Sequence, residues 1–227
     1  MHIYDYIRLD LNLSYVYDYQ ATVVLSELIR DLSKPYVVEG YLEDLMKDSK
    51  AYVVGAGPKC IDELRNLSND FDVLIAADGA LRCCLDAGYL PDVVVTDLDG
   101  LNPDELRYRD IIYVIHAHGD NIDKLLKYVK LVRGPVIGTS QCIPYGGIKM
   151  YGGFTDGDRA AYLAYYFGAK YIKFLGFDLD SGVVGRYSKP WMVSDLNATL
   201  MKLRKFKWAK RLINLLRVCS EGVLIEQ

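Results

Sequence analysis

From residue 51 onward the chain alternates between two hydrophobic patterns. Short runs rich in β-branched residues each end in glycine, aspartate or small polar residues: AYVVGAG (51–57), VLIAADG (73–79), VVVTDLDG (93–100), IIYVIHAHG (111–119), PVIGTS (135–140) and YIKFLGFD (171–178). Between them, apolar positions fall at helical spacing near 59–67, 79–87, 122–131 and 157–167. Continuous apolar strands separated by helices predict an α/β fold, a Rossmann-like and mostly parallel sheet with helices on both faces. The helix at 157–167 is expected to be capped by Asp156 and stopped by Gly168. The chain closes with an amphipathic basic helix over 194–218 and a short strand, Val223 to Ile225.

Upstream, residues 18–32 set Ala21, Val24, Leu25, Leu28, Ile29 and Leu32 on one helical face, with Asp18 as N-cap and Pro35 beyond the end. A second helix is expected over 39–47, with Tyr41, Leu42, Leu45 and Met46 facing inward. This divides the chain into a helical N-terminal extension, 1–48, and an α/β domain, 49–227, that carries the chemistry. The extension itself offers no chemistry that its sequence identifies.

With 227 residues, 51% hydrophobic and 25% charged, the chain can build a core without disulfides or a structural metal. Its five cysteines show no CxxC spacing and are expected to be reduced and mostly buried, as in a cytoplasmic protein. No leader opens the chain, and no apolar run reaches the roughly 18 residues that a membrane span needs. The net charge of −3 hides a basic stretch, because residues 196–217 hold Lys202, Arg204, Lys205, Lys207, Lys210, Arg211 and Arg217 and no acid. Such a stripe attracts a phosphorylated ligand or nucleic acid, or it is simply a solvated helix face. Confinement of the basic residues to one segment of an acidic chain argues against nucleic acid. The oligomeric state is open, and a homodimer is compatible with the chain.

In open parallel sheets, ligands bind beyond the carboxyl ends of the strands. Here those ends carry Gly55 and Gly57, Asp78, Asp97 and Asp99, His116, His118, Asp120 and Asn121, Ser140 and Gln141, and Asp178. Clustered carboxylates must be solvated, hydrogen-bonded or metal-bound. Asp97 and Asp99, two residues apart, would point to one side of an extended chain and suit Mg²⁺, which takes one or two carboxylates with waters and phosphates. The competing reading is a pair of turn aspartates. Gly55-Ala56-Gly57-Pro58 either holds a phosphate or makes a tight turn; the dinucleotide pattern fails because Cys60 occupies the third glycine position. His116 and His118 lack a third imidazole or thiolate for zinc. Arg159, near a helix N-terminus behind Gly152 and Gly153, is placed to contact phosphate, and Asp156 is either a ligand contact or a cap.

In combination, DGA (78–80), PD-x3-TDLDG (91–100), HAHGDN (116–121), GGFTDGDRA (152–160) and LGFD (175–178) closely resemble the archaeal 6-hydroxymethyl-7,8-dihydropterin pyrophosphokinases. They are more distantly similar to thiamine pyrophosphokinases. Gly100 stands where the thiamine enzymes have serine, and no C-terminal β-sandwich follows, which favours the pterin. The resemblance implies ATP as donor, Mg²⁺ as cofactor, and AMP with a pterin diphosphate as products. For that chemistry, Asp97 and Asp99 are expected to hold Mg²⁺, with Asp78 and Asp120 as further ligands or beside them, and Gly55, Gly57, Ser140 and Arg159 are expected to contact ATP. Gln141, Asp156 and Asp178 would then read the pterin. Asp120, His116 or His118 would take the hydroxyl proton, and residues 180–191 would form a lid. A metal-dependent sugar-nucleotide transferase is the rival enzyme, since those also use D-x-D.

Overall fold

The apolar runs become strands and the periodic segments become helices, in a computed structural model that describes residues 2–68 and 70–226. In chain order the elements are α1 (Ile3–Leu11), α2 (Tyr15–Ile29), α3 (Pro35–Met46), β1 (Lys50–Val54), α4 (Cys60–Arg65), β2 (Val73–Ala77) and α5 (Ala80–Asp86). They continue with β3 (Val93–Thr96), β4 (Ile112–Ala117), α6 (Ile122–Tyr128), β5 (Val136–Ser140), α7 (Asp156–Tyr166) and β6 (Tyr171–Leu175). The hairpin strands β7 (Val183–Val184) and β8 (Leu196–Asn197), then α8 (Leu200–Cys219) and β9 (Leu224–Glu226), complete the chain.

Seven strands form one parallel sheet in the order β5-β4-β3-β2-β1-β6-β9. Alternation along each strand divides the core. Tyr52 and Val54 of β1 join a cluster with α2, α4, α5 and α6, while Ala51 and Val53 join one with α3, α7 and α8. Helices therefore cover both faces, as the patterning predicts. A third cluster docks α1, through Tyr4, Ile7 and Leu11, on Phe154 and on Leu212 of α8.

Several local expectations are corrected. Pro35 lies beyond the end of α2, as expected, but it also opens α3 at its first turn, where its missing N–H is harmless, so that helix starts before residue 39. Ser14 caps α2, which leaves Asp18 inside the helix and buried. Leu32 lies past the end of α2 and Tyr41 faces outward; both are exposed. Thr155 caps α7, because the capping box returns from Asp158 rather than from Asp156. The basic helix begins at Leu200, after the β7–β8 hairpin.

The cysteine expectation also changes. Cys60 and Cys83 are joined in a disulfide, because α4 and α5 lie side by side on one face and bring their Cα atoms to 6.5 Å. Cys84 and Cys142 are free and buried, and Cys219 is free and exposed. No helix among the described residues is long and apolar enough to cross a membrane.

Candidate active site

The carboxyl ends of the strands open into a cleft of about 640 Å³, roofed by the 180–191 segment and the first turns of α8. At its centre Asp78, Asp97 and Asp99 bring one carboxylate oxygen each within 4.8 Å of one another. Two turns, after β2 and after β3, create this convergence. Asp78 follows β2 in the left-handed region, at φ 50°, and its Oδ1 accepts from Thr96 Oγ1 at 2.7 Å and Gly100 N at 3.1 Å. A Cβ on Gly100 would lie 1.9 Å from Asp78 Oδ2, so this position admits no larger residue while Asp78 sits there.

Asp97 and Asp99 do not meet by strand alternation, because β3 ends at Thr96. Leu98 turns left-handed, at φ 69°, and is buried, while its N–H donates to Thr96 Oγ1 at 2.8 Å. The Asp99 N–H donates to Asp97 Oδ1 at 3.0 Å. Left-handed backbone is unfavourable for a residue with a Cβ, so these hydrogen bonds hold the turn against its own preference.

Asn121, 1% exposed, brackets the neighbouring strand ends. Its Nδ2 donates to Asp97 O at 3.0 Å and His116 O at 2.7 Å, and its Oδ1 accepts from His118 N at 3.0 Å. His118 Nδ1 accepts the Asp120 N–H at 3.3 Å, which places the ring proton on Nε2, 3.2 Å from Asp97 Oδ2. His118 thus orients Asp97 and is not free to take a proton from a substrate. The His116 ring is buried, 5.3 Å from that of His118, with Nε2 3.4 Å from Arg159 Nη2. Asp120 stands exposed on the cleft wall, and among the described residues its carboxylate makes no hydrogen bond. It does not belong to the three-carboxylate group.

Burial, followed by the charge of Asp97, pushes Asp78 up to about 7. Burial also opposes ionisation of Asp97, but the hydrogen bond from His118, with that from Asp99 and the charge of Lys189, outweighs it and holds Asp97 well below the usual carboxylate range. Asp156, half-buried on the cleft wall, is raised well above that range by burial and then by Asp97, Asp78 and Asp99. Among the described residues its Oδ1 is buried without a partner. Lysines answer this negative charge. Lys189 forms an ion pair with Asp99 and lies 3.8 Å from Asp78, and Lys124 lies 3.5 Å from Asp99.

Three hard oxygen donors, one of them harder to ionise because of burial and its charged neighbours, fit a hard divalent cation. Asp78, Asp97 and Asp99 are the residues that would hold it.

Other expected contacts fall elsewhere. Gly55 and Gly57 line the cleft, but their N–H groups donate to Leu175 O and Gly176 O, both at 2.8 Å, continuing the β1–β6 ladder. A Cβ on Gly57 would meet Gly176 O at 2.4 Å, so glycine here answers to backbone approach and those amides hold no phosphate. Arg159 and Ser140 are fully buried and do not line the cleft. The Arg159 guanidinium turns inward to Gly152 O at 3.1 Å and Thr139 Oγ1 at 3.4 Å, which corrects its assignment to ATP. Ser140 Oγ accepts from Cys142 N at 3.4 Å, within the turn after β5, which corrects its assignment as well. Asp178 reaches the cleft with Oδ1 engaged by Ser181 N at 2.9 Å, and Gln141 lines the wall.

Several residues were given no individual place at the site by the sequence reading. Lys202 and Lys205 of α8 line the cleft, whereas Arg204 pairs with Asp10 of α1 at 2.9 Å. The basic stripe was a signal, but which lysines turn inward depends on how α8 docks. Arg82 donates to Gly100 O and Tyr187 O, both at 2.7 Å, tying the aspartate turn to the segment that bears Lys189. Asp18 joins the wall from α2.

A Rossmann-like sheet with a carboxylate cluster and facing lysines at its carboxyl edge defines an α/β protein with a charged cleft beyond its strands. The model of the family described as 6-hydroxymethylpterin diphosphokinase MptE-like matches residues 26–182. The chain is 42% identical over 205 residues to the 6-hydroxymethyl-7,8-dihydropterin pyrophosphokinase of Pyrococcus furiosus, covering 88% of this chain and 87% of that one. It is 41% identical over 179 residues to the protein of the same name from Methanothermobacter thermautotrophicus, covering 76% of each. Against that from Methanocaldococcus jannaschii it is 34% identical over 214 residues, covering 88% and 87%. The family model spans β1 through β6, and the chain belongs to this family of pyrophosphokinases.

Proposed function

We propose that the protein transfers the diphosphate of ATP to the hydroxymethyl group of 6-hydroxymethyl-7,8-dihydropterin, with Mg²⁺, releasing AMP. The observation that carries this reading is the convergence of Asp78, Asp97 and Asp99 opposite Lys189 and Lys124, in a chain whose relatives bear that activity in their names. The substrate oxygen bonds to the β-phosphorus as the bond from that phosphorus to the α-phosphoryl oxygen breaks, and AMP leaves with that oxygen. A bound Mg²⁺ supplies charge neutralisation for the phosphoryl oxygens.

The remaining work falls to side chains. Asp97 is held in place by His118 and Asn121. Asp120, free at the rim, takes the hydroxyl proton. Lys202 and Lys205 bind the phosphates of the nucleotide, and Lys189 moves from carboxylate to phosphate when ATP arrives. The 180–191 segment, fastened by Arg82 and by Ser188 Oγ to Ala56 O at 3.2 Å, excludes water from the transfer. Availability of ATP places this work in the cytoplasm.

A coupled assay for AMP tests the reading, with ATP and Mg²⁺ and either the reduced hydroxymethylpterin or thiamine as acceptor. AMP formed with the pterin alone supports it. AMP with thiamine retains the chemistry and overturns the acceptor. No AMP with either from folded protein overturns the reaction and turns attention to sugar nucleotides.

A further inference from the structure

The cleft wall contains a polar pair outside the carboxylate cluster. Asp18, 3% exposed inside α2, accepts from Gly119 N on Oδ1 and from Gln141 Nε2 on Oδ2, both at 2.8 Å, with Arg8 Nε 3.6 Å from Oδ2. A carboxylate only accepts, so the Gln141 amide can present only its NH₂ to Asp18. Its carbonyl oxygen must then face the other way. Among the described residues that oxygen is buried without a hydrogen-bond partner, on a residue 3% exposed that lines the cleft. An acceptor left in this state is unfavourable until a donor reaches it.

We infer that Asp18 and Gln141 form the specificity edge for the acceptor substrate, a pair of hydrogen-bond acceptors that reads two adjacent N–H donors on a flat ring. The inference rests on the function proposed above and assigns its substrate end. The aminopyrimidinone edge of a pterin offers a ring N–H beside an exocyclic amine, donor next to donor. The adenine of ATP and the aminopyrimidine of thiamine each place the amine beside a bare ring nitrogen, donor next to acceptor, and leave one acceptor of the pair unmet. Position agrees with chemistry. Gly119, which donates to Asp18, directly follows His118, which bonds Asp97, so adjacent residues touch the reading edge and the carboxylate cluster. Tyr17, whose Cβ packs on Gly119, and the His116–His118 ring pair supply flat surfaces beside it.

The test inverts the edge. In Asp18→Asn the side-chain oxygen still accepts from Gly119, but its NH₂ faces Gln141. The Gln141 amide then turns over and presents donors to the cleft. Titration of pterin fluorescence should show Kd raised on the order of 10- to 100-fold, with the Kd of a non-hydrolysable ATP analogue unchanged. Adding Gln141→Glu restores an acceptor beside the introduced amide and returns the net charge to that of the wild type, and the double variant should recover most of the pterin affinity. Should Asp18→Asn not fold, Gln141→Met, similar in volume but without an acceptor, should show the same selective loss. Wild-type pterin affinity in Asp18→Asn or in Gln141→Met overturns the assignment, and so does a double variant no better than Asp18→Asn. Wild-type protein that binds no pterin overturns the proposed function and this assignment with it.

Discussion

Two turns on the carboxyl edge of the sheet each follow an apolar strand and end in glycine, and they do different work. After β1, Gly55-Ala56-Gly57 carries no charge, and the N–H groups of both glycines go to carbonyls at the end of β6 and just beyond it. The β1–β6 crevice, where the strand order switches and dinucleotide folds seat their phosphates, is filled with backbone hydrogen bonds. After β3, Asp97-Leu98-Asp99-Gly100 also bonds internally, but those bonds turn carboxylates outward into the cleft beside Asp78. The first turn closes the sheet, and the second concentrates charge that a cation and phosphates can answer. A glycine-rich turn after the first strand is therefore no guide to the nucleotide in this chain, and the partners of its amides decide the matter.

The sharpest way to break this contrast is at the charged turn. Asp97→Asn or Asp99→Asn should lower kcat/KM for diphosphate transfer about 10³-fold, within the range for loss of a group that holds charge in the transition state. The chain should still fold, with the melting temperature of Asp97→Asn modestly lowered at neutral pH, because the fold favours the ionised carboxylate beside His118. Near-wild-type turnover in either variant would remove the cluster from the chemistry.

At the glycine turn the effects should reverse. Gly57→Ala forces a Cβ to 2.4 Å from Gly176 O and should cost about 1–3 kcal/mol of stability, as overpacking does, which denaturant unfolding would read. A stable Gly57→Ala protein that had lost only ATP affinity would return the phosphate to this turn.

A smaller effect separates the two sides of α8. Lys202→Glu with Lys205→Glu should raise the KM for ATP about tenfold, whereas Arg204→Glu with Lys207→Glu should leave it unchanged and lower only the melting temperature, through Asp10. Equal effects of the two pairs would make the stripe a diffuse field.

The smallest effect is the pH dependence of stability without metal. Burial and Asp97 raise Asp78 from 3.8 to about 7. Between those values the folded chain keeps a proton that the unfolded chain has released, so stability falls as pH rises through that window. Asp78→Asn should flatten that slope, and Mg²⁺ should raise the melting temperature more at pH 8 than at pH 5. Thermal melts across pH check both expectations, and a slope unchanged in Asp78→Asn would contradict the assignment.

These contrasts also mark what a sequence can convey. The β-branched runs gave away the parallel sheet, and clustered acids at their ends marked the site, because both depend on residues close together in the chain. Lys189 with Asp99, Arg82 with Tyr187, and Cys60 with Cys83 pair residues 90, 105 and 23 positions apart, and no local pattern announces such pairs. Asp18 read as a helix cap because Ser14, four residues earlier, is an equally good capping residue. Arg159 read as a phosphate ligand because its inward turn under His116 is a matter of packing. The hairpin strands β7 and β8, two residues each, are too short to leave a period.

The most direct test of the central claim is ³¹P NMR of the products made from ATP and the hydroxymethyldihydropterin by wild type and by Asp97→Asn. The account predicts AMP and the paired doublets of a diphosphate ester from wild type, and neither from the variant. ADP with a pterin monophosphate, or the same product formed as fast by Asp97→Asn, would contradict it.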